Sequence, residues 1–319
     1  MNSVPLLFSV IIPLYNKERT IAATLISVLS QKLRNFEVIV VNDGSTDGSL
    51  QVAESFSNPK LKVLSKPNGG VSDARNYGIQ HAQFPYVTFL DADDCWDENF
   101  LEEMACLISR FPDCGMYSSA YRRVTKLQTI LHGSSLPEGV VPDFFQMKFL
   151  HSVPCSSAVV VRKSVFDSVG GFPIGMFGGE DEFTWSKIAI KYKVAFTPQV
   201  LAQYNYVSSV NAMRKGKMDT CKESWFDLYK EGDFYRNEFI AKKAINAGIR
   251  YAFGQPQKKS VEIQQRTKYT ELSKEDWQYL AYLNRLPYAG IVLLRNLQPR
   301  YKGIKRWLKQ KKLLLLASR

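Results

Sequence analysis

Phe36-Glu37-Val38-Ile39-Val40-Val41-Asn42-Asp43-Gly44-Ser45-Thr46-Asp47 runs four branched apolar residues straight into a polar turn. A run with no polar face reads as a strand covered on both sides, which is the situation in a parallel sheet. Working outward, similar β-rich runs stand at Phe8–Pro13, Leu61–Ser65 and Tyr86–Leu90. Stretches of helical length lie beside them, at Thr20–Gln31, Gly48–Ser55, Val71–His81 and Glu98–Phe111. Strand-helix alternation of this kind predicts a doubly wound α/β sheet, and such sheets bind ligands at the carboxyl ends of their strands.

Those four ends are unusually polar: Pro13-Leu14-Tyr15-Asn16, Asn42 to Asp47, Lys66-Pro67-Asn68-Gly69-Gly70, and Asp91-Ala92-Asp93-Asp94. Any one of them reads equally well as an ordinary turn, since Asp, Asn, Gly and Pro dominate turns. Four at one sheet edge make a polar crevice. The acidic triplet offers hard oxygen ligands that suit Mg²⁺ or Mn²⁺, with water and a substrate phosphate completing the shell. The competing reading is a solvated loop whose acids cap a helix beginning near Asp97.

The 319 residues are 45% hydrophobic, which fills a sizeable core and excludes disorder. Five cysteines, an odd number without C-x-x-C spacing, point to reduced thiols and a cytoplasmic setting. Met1 to Ser9 lacks the pattern of a signal peptide, and no stretch reaches the roughly 18 apolar residues of a membrane span. The expectation is a soluble or peripheral protein.

Charge is distributed unevenly. Residues 241–319 hold 18 Lys and Arg against 4 Asp and Glu, a balance of +14, while residues 1–240 hold 24 against 26, a balance of −2. Between Arg300 and Lys312 lie seven Lys and Arg and no acid, interleaved with Tyr301, Ile304, Trp307 and Leu308. A helix over 300–316 would put Ile304, Trp307, Leu308 and Leu315 on one side, as in a helix lying on an anionic membrane surface. Packing onto the protein is the alternative. Nucleic acid is not expected as a partner, because no recognised reading motif accompanies the charge.

Beyond Cys114 the pattern loosens. Strands are expected at Gly115–Tyr121, Ser156–Arg162, Val194–Thr197 and Leu201–Tyr206, extending the sheet in mixed or antiparallel fashion. Helices follow through Met218–Arg250, Ser273–Asn284 and Tyr301–Leu316. The chain is therefore expected to comprise a domain over 1–210, with halves about 1–112 and 113–210, and a basic helical extension over 211–319. The acids of Gly178-Gly179-Glu180-Asp181-Glu182 read as a helix amino terminus, where negative charge favours the dipole.

Five ordered motifs resemble the inverting family 2 glycosyltransferases of the GT-A fold. They are Ser9-Val10-Ile11-Ile12-Pro13-Leu14-Tyr15-Asn16, Val41 to Asp47, Asn68-Gly69-Gly70-Val71-Ser72-Asp73-Ala74-Arg75-Asn76-Tyr77-Gly78, Phe89 to Asp94, and Val169-Gly170-Gly171-Phe172 followed by Gly178 to Asp181. The resemblance implies a Rossmann-like nucleotide-binding fold with a central, mainly parallel mixed sheet, plus the helical extension. It implies a nucleotide-sugar site of Pro13, Tyr15, Asn16, Asp43, Gly70, Arg75, Asp91 and Ala92. In it Pro13 and Tyr15 wall the base and Asp43 accepts a hydrogen bond from a uracil-type N–H. Arg75 either steadies Asp43 or reaches the nucleotide, unless it is a plain surface arginine. Asp91 faces ribose or shares the metal, Asp93 ligates Mn²⁺ or Mg²⁺, and Asp94 contacts the metal through water or caps a helix. Asp181 becomes the base that deprotonates an acceptor hydroxyl, with Glu180 supporting it.

One departure stands out. Many relatives carry a histidine after the last strand, whereas this chain has Tyr204-Asn205-Tyr206-Val207-Ser208-Ser209-Val210-Asn211. Metal coordination beyond Asp91 and Asp93 therefore has no histidine to supply it, and Ser208, Ser209 or Asn211 is left to hydrogen-bond phosphate. His81, His132 and His151 are expected to be structural or exposed. The implied function is hexosyl or N-acetylhexosaminyl transfer from a UDP-sugar to a growing or lipid-linked glycan of the cell envelope, on the inner face of the membrane. The alternative is a non-catalytic nucleotide-sugar-binding or scaffolding subunit. A dehydrogenase is disfavoured, since the first turn lacks G-x-G-x-x-G.

Overall fold

The computed structural model describes residues 6–176, 178–206, 220–254, 257–287, 290, 291 and 294. The chain divides into two compact units, 1–228 and 229–319. The boundary expected near residue 210, the predicted phosphate contacts Ser208, Ser209 and Asn211, and the basic segment 300–316 all lie outside the described residues.

The first unit opens with the expected alternation: β1 (Phe8–Leu14), α1 (Ile21–Leu29), β2 (Phe36–Asp43), α2 (Ser49–Glu54), β3 (Leu61–Lys66), α3 (Val71–His81) and β4 (Tyr86–Phe89). There follow β5 (Cys95–Trp96), α4 (Phe100–Arg110), β6 (Met116–Val124), β7 (Thr129–His132), β8 (Gly139–Val140), α5 (Phe144–His151), β9 (Val159–Arg162), α6 (Val165–Val169), α7 (Glu180–Lys191) and β10 (Val194–Asn205). The strands form one sheet in the order β3-β2-β1-β4-β9-β6-β10-β5, with β7 added to β6 and β8 to β10. Strands β3, β2, β1 and β4 are parallel, and β9 runs antiparallel to both β4 and β6.

The chain winds from β1 outward to β3 and then returns to place β4 on the other side of β1. That reversal opens a crevice between the carboxyl ends of β1 and β4. Both faces near it are sealed: Val10, Ile11 and Ile12 of β1 and Val38 to Val41 of β2 are fully buried. Helix α3 lies against β1 and β2, and Gly78 permits the approach. A Cβ there would fall 2.4 Å from Ile11 Cγ2. Behind β4, Phe89 packs against Phe166, Phe172 and Trp185, which ties α6 and α7 to the strand that carries the acidic triplet.

Two expectations need correction. Val194–Thr197 and Leu201–Tyr206 form one strand, β10, which stays paired to β6 by shifting register between Thr197 and Val200 and again before Ala202. The continuous helix expected from Met218 is replaced by a short 3-10 turn at Trp225–Leu228 and a helix, α8, that starts only at Phe234. Gly232, at φ 77°, interrupts it.

The second unit holds α8 (Phe234–Gly254), α9 (Gln257–Arg266) and α10 (Lys274–Arg285). Ala241, Ile245 and Leu280 make its buried centre, with Ile249, Ile263 and Trp277 packed around them. Among the described residues no helix is long and apolar enough to cross a membrane. The five cysteines form no disulfide.

Candidate active site

A cavity of about 390 Å³ occupies the crevice, lined by Pro13, Leu14, Tyr15, Lys17, Asp43, Val71, Ala74, Arg75, Asp91, Ala92, Asp93, Glu180 and Tyr204. It brings together eight residues marked from the sequence: Pro13, Tyr15, Asp43, Arg75, Asp91, Ala92, Asp93 and Glu180. Asn16, Gly70 and Asp181 stand outside the lining.

Asn16 and Gly70 act on the backbone. Asn16 takes a left-handed conformation (φ 52°), which asparagine tolerates. Its side-chain oxygen accepts from the Thr46 amide at 2.8 Å, and its own amide donates to Ser45 Oγ at 3.2 Å, so the loops after β1 and β2 are joined. Gly70, at φ 89°, starts α3. Its amide donates to Asp43 Oδ2 at 2.8 Å, while Gly69 N and Lys66 Nζ donate to Oδ1 at 2.9 and 2.7 Å. The buried Asp43 carboxylate thus organises the loop after β3, and Tyr15, 47% exposed, leaves an aromatic face open to the cavity.

Arg75 lines the cavity, and two of its expected roles need correction. It is not a surface residue, and it reaches neither Asp43 nor its loop; Lys66 is the cation on Asp43. One turn into α3 and 2% exposed, its guanidinium instead pairs with Asp91 at 2.7 Å and Glu180 at 3.3 Å. It bridges the triplet after β4 to the acid pair that opens α7. Burial works against its charge, but the carboxylates of Asp91, Glu180 and Asp181 outweigh that and raise its pKa. Its buried Nε has no hydrogen-bond partner.

The triplet separates into three environments. Asp91, 31% exposed at the side chain, faces the cavity on the Arg75 guanidinium. Asp93 carries the ammonium of Lys17. Asp94 neither caps a helix nor lines the cavity. Helix α4 begins six residues later at Phe100, beyond Asn99, where Asp97 Oδ1 accepts from the Asn99 amide. The Asp94 carboxylate is buried, accepting from Ser157 Oγ at 2.6 Å and from the Asn205 amide at 2.8 Å. Burial together with Asp91 and Asp93 raises its pKa well above the ordinary value.

A 3-10 turn at Ser156–Ala158 serves both acid groups. Ser157 Oγ binds Asp94 and accepts from the Asp91 amide at 3.3 Å, while Ser156 Oγ donates to Asp181 Oδ2 at 2.9 Å. Asp181 sits in the first turn of α7, after Gly179 at φ 84°. Burial and its neighbours Glu180 and Glu182 raise its pKa, against the opposing pull of Arg75 and Lys148.

Lys17, Tyr204 and Asn205 carry no recognisable site pattern in the sequence. For Lys17 the only signal is its place two residues after Tyr15, and a lysine in a polar turn carries no pattern of its own. None of the histidines lines the cavity. Among the described residues no three His, Cys, Asp or Glu side chains cluster to hold a metal. The pair Asp91 and Asp93 nevertheless fits Mg²⁺ or Mn²⁺. Those ions need only one or two carboxylates when phosphate completes the shell, and a cation, the Lys17 ammonium, already rests on Asp93.

A mixed α/β sheet with a polar cavity at its switch point, lined by Asp91 and Asp93 on one side and by Glu180 on the other, has the architecture of the GT-A fold. The model of glycosyl transferase family 2 matches residues 9–170, and the chain belongs to that family. Solved structures agree on the fold: S. aureus TarS 1–349 in complex with UDP superposes with a TM-score of 0.56 at 21% identity, covering 82% of this chain and 70% of that one. The chain is 39% identical over 98 residues to glycosyltransferase GlyA of Streptococcus pneumoniae, which is 30% of this chain and 14% of GlyA. It is 28% identical over 233 residues to WfgD of Escherichia coli, a UDP-Glc:alpha-D-GlcNAc-diphosphoundecaprenol beta-1,3-glucosyltransferase, covering 72% of this chain and 87% of WfgD. The chain thus spans only a small part of GlyA and most of WfgD.

Proposed function

We propose that the protein is an inverting glycosyltransferase that moves a sugar from a nucleoside diphosphate donor, a UDP-sugar, to a hydroxyl of a growing or lipid-linked cell-envelope glycan. The convergence of Tyr15, Asp43, Arg75, Asp91, Asp93 and Glu180 on one cavity carries this reading. Tyr15 and Pro13 present a face for a pyrimidine, and Asp43 supplies an acceptor held by its own loop. Asp91 and Asp93 would hold Mn²⁺ or Mg²⁺, which when bound neutralises the charge that builds on the departing diphosphate. Asp181 stands off the donor cavity, as suits a base that takes a proton from an acceptor approaching the anomeric carbon on the face away from the diphosphate. Its raised pKa makes it a stronger base than an ordinary aspartate.

WfgD supports a lipid-linked acceptor, since its name gives it a diphosphoundecaprenol substrate. The basic segment 300–316 would then hold the chain to the anionic cytoplasmic leaflet. The decisive experiment is transfer from UDP-sugars with Mn²⁺, with EDTA, and in Asp181→Asn. The expected result is metal-dependent transfer reduced roughly 10² to 10⁴-fold by the substitution, with UDP affinity unchanged. Retained UDP binding with no transfer to any acceptor would instead favour a non-catalytic binding subunit.

A further inference from the structure

Lys17 is placed with more care than a turn lysine requires. Its amide donates to Ser49 Oγ at 2.7 Å, and its carbonyl accepts from the Thr20 and Ile21 amides, each at 3.0 Å. The opposing strand end is equally fixed: Asn205 Nδ2 donates to the Asp93 carbonyl at 2.7 Å, and Thr20 Oγ1 to the Ala92 carbonyl at 2.8 Å. Two pinned backbones therefore aim an ammonium and a carboxylate at each other inside the cavity, with the side chains 18% and 7% exposed. Of the two, only the lysine has a long flexible stem, so it is the partner able to move.

A carboxylate that carries an ammonium repels a divalent cation seeking the same group, because like charges at such range interact strongly away from bulk water. A diphosphate entering the cavity gives that ammonium a second anion to bind. We propose that Lys17 is the resident cation of Asp93 in the donor-free protein and passes to the diphosphate when the donor enters. Asp93 then accepts a divalent cation more readily with the nucleotide than without it. Lys17 thereby acts twice, opposing the metal on its own and favouring the nucleotide. The inference rests on the cavity being the diphosphate site proposed above.

The experiment is a Mn²⁺ titration followed by loss of the free-ion electron paramagnetic resonance signal. It uses the full chain, Lys17→Met, Lys17→Gln and Lys17→Arg, each with and without saturating UDP, after circular dichroism has shown which variants fold. Without UDP, Lys17→Met and Lys17→Gln are expected to bind Mn²⁺ about tenfold more tightly than the unaltered chain, and to bind UDP about tenfold more weakly; Lys17→Arg, which keeps the charge, follows the unaltered chain. Equal Mn²⁺ affinity without UDP in the unaltered chain and both neutral variants overturns the proposal. UDP binding with no Mn²⁺ uptake in any chain overturns it too, while leaving the nucleotide site standing. Failure of every chain to bind UDP removes the reading of the cavity itself.

Discussion

Asp181 carries opposed demands on stability and on chemistry. Its folded-state pKa lies above the ordinary 3.8, first through burial and then through Glu180 and Glu182. A raised carboxyl binds its proton more tightly in the folded chain, so its favourable contribution is present below 3.8 and is lost as pH rises through the folded value. At neutral pH Asp181→Asn should therefore unfold at the same temperature as the unaltered chain or higher, with no advantage left in strong acid. Scanning calorimetry at several pH values measures this, and a lower melting temperature at neutral pH would oppose the assignment of strain to the charge. Glu182→Gln tests the electrostatics separately. It removes a neighbour that raises the Asp181 pKa and frees Lys148, 3.2 Å from Glu182, to act on it. The acid limb of the kcat/KM profile should move to lower pH. At this scale the sequence showed which residue types gather at the crevice but not how they pair. Arg75 could be placed on a helix face beside the right loops, yet its choice of Asp91 and Glu180 over Asp43 depends on the inner face of α3 and on an α7 more than a hundred positions away. Lys17 escaped because its partner Asp93 stands 76 positions away in the chain.

Elements whose identity depends on local pattern were legible, and those that depend on neighbours were not. The first four strands and α3 stand close to their expected limits because each is a self-contained apolar or amphipathic run. The two-residue strands Cys95–Trp96 and Gly139–Val140 have no periodicity to read and exist only through pairing with β10. Pro198 and Gln199 look like an interruption in the sequence, but β10 absorbs them by changing register. Gly78 gives a prediction that belongs to elements. Alanine would gain about 1 kcal/mol of helix propensity in α3. Its Cβ, however, would lie 2.4 Å from Ile11 Cγ2 and 3.2 Å from Cγ1, in a side chain that is fully buried. Overpacking of that kind costs about 1–3 kcal/mol, so repulsion wins and Gly78→Ala lowers the urea midpoint. Separation of α3 from β1 would also shift Arg75, and weaker UDP binding should accompany the loss of stability.

The two units divide the labour proposed for the whole chain. Every residue lining the donor cavity lies between Pro13 and Tyr204, inside the unit that ends at residue 228. The unit from 229 onward closes on a core of its own. Besides Ala241, Ile245 and Leu280, the buried Glu238 carboxylate accepts from Thr270 Oγ1 at 2.6 Å and from the amides of Glu271 and Leu272 at 2.7 and 3.1 Å, and Ser260 Oγ donates to Asn284 at 2.6 Å. Neither set of interactions draws on the donor cavity. A chain ending at residue 228 should therefore unfold cooperatively and bind UDP as the full chain does, because it keeps the whole cavity lining. It should lose any hold on anionic vesicles, since the +14 balance of residues 241–319 goes with the second unit. A chain ending at Pro299 separates the basic segment from the helices before it. At about 1 kcal/mol for each Lys or Arg at an anionic surface, the seven cations of 300–312, opposed by no acid, exceed the net +5 of α8 to α10, where nine Lys and Arg face four Asp and Glu, and the attraction weakens with salt. Flotation with anionic liposomes should thus recover the full chain at low salt and leave both shorter chains behind. Equal flotation of the full chain and the one ending at Pro299 would move the membrane role to the helices of the second unit.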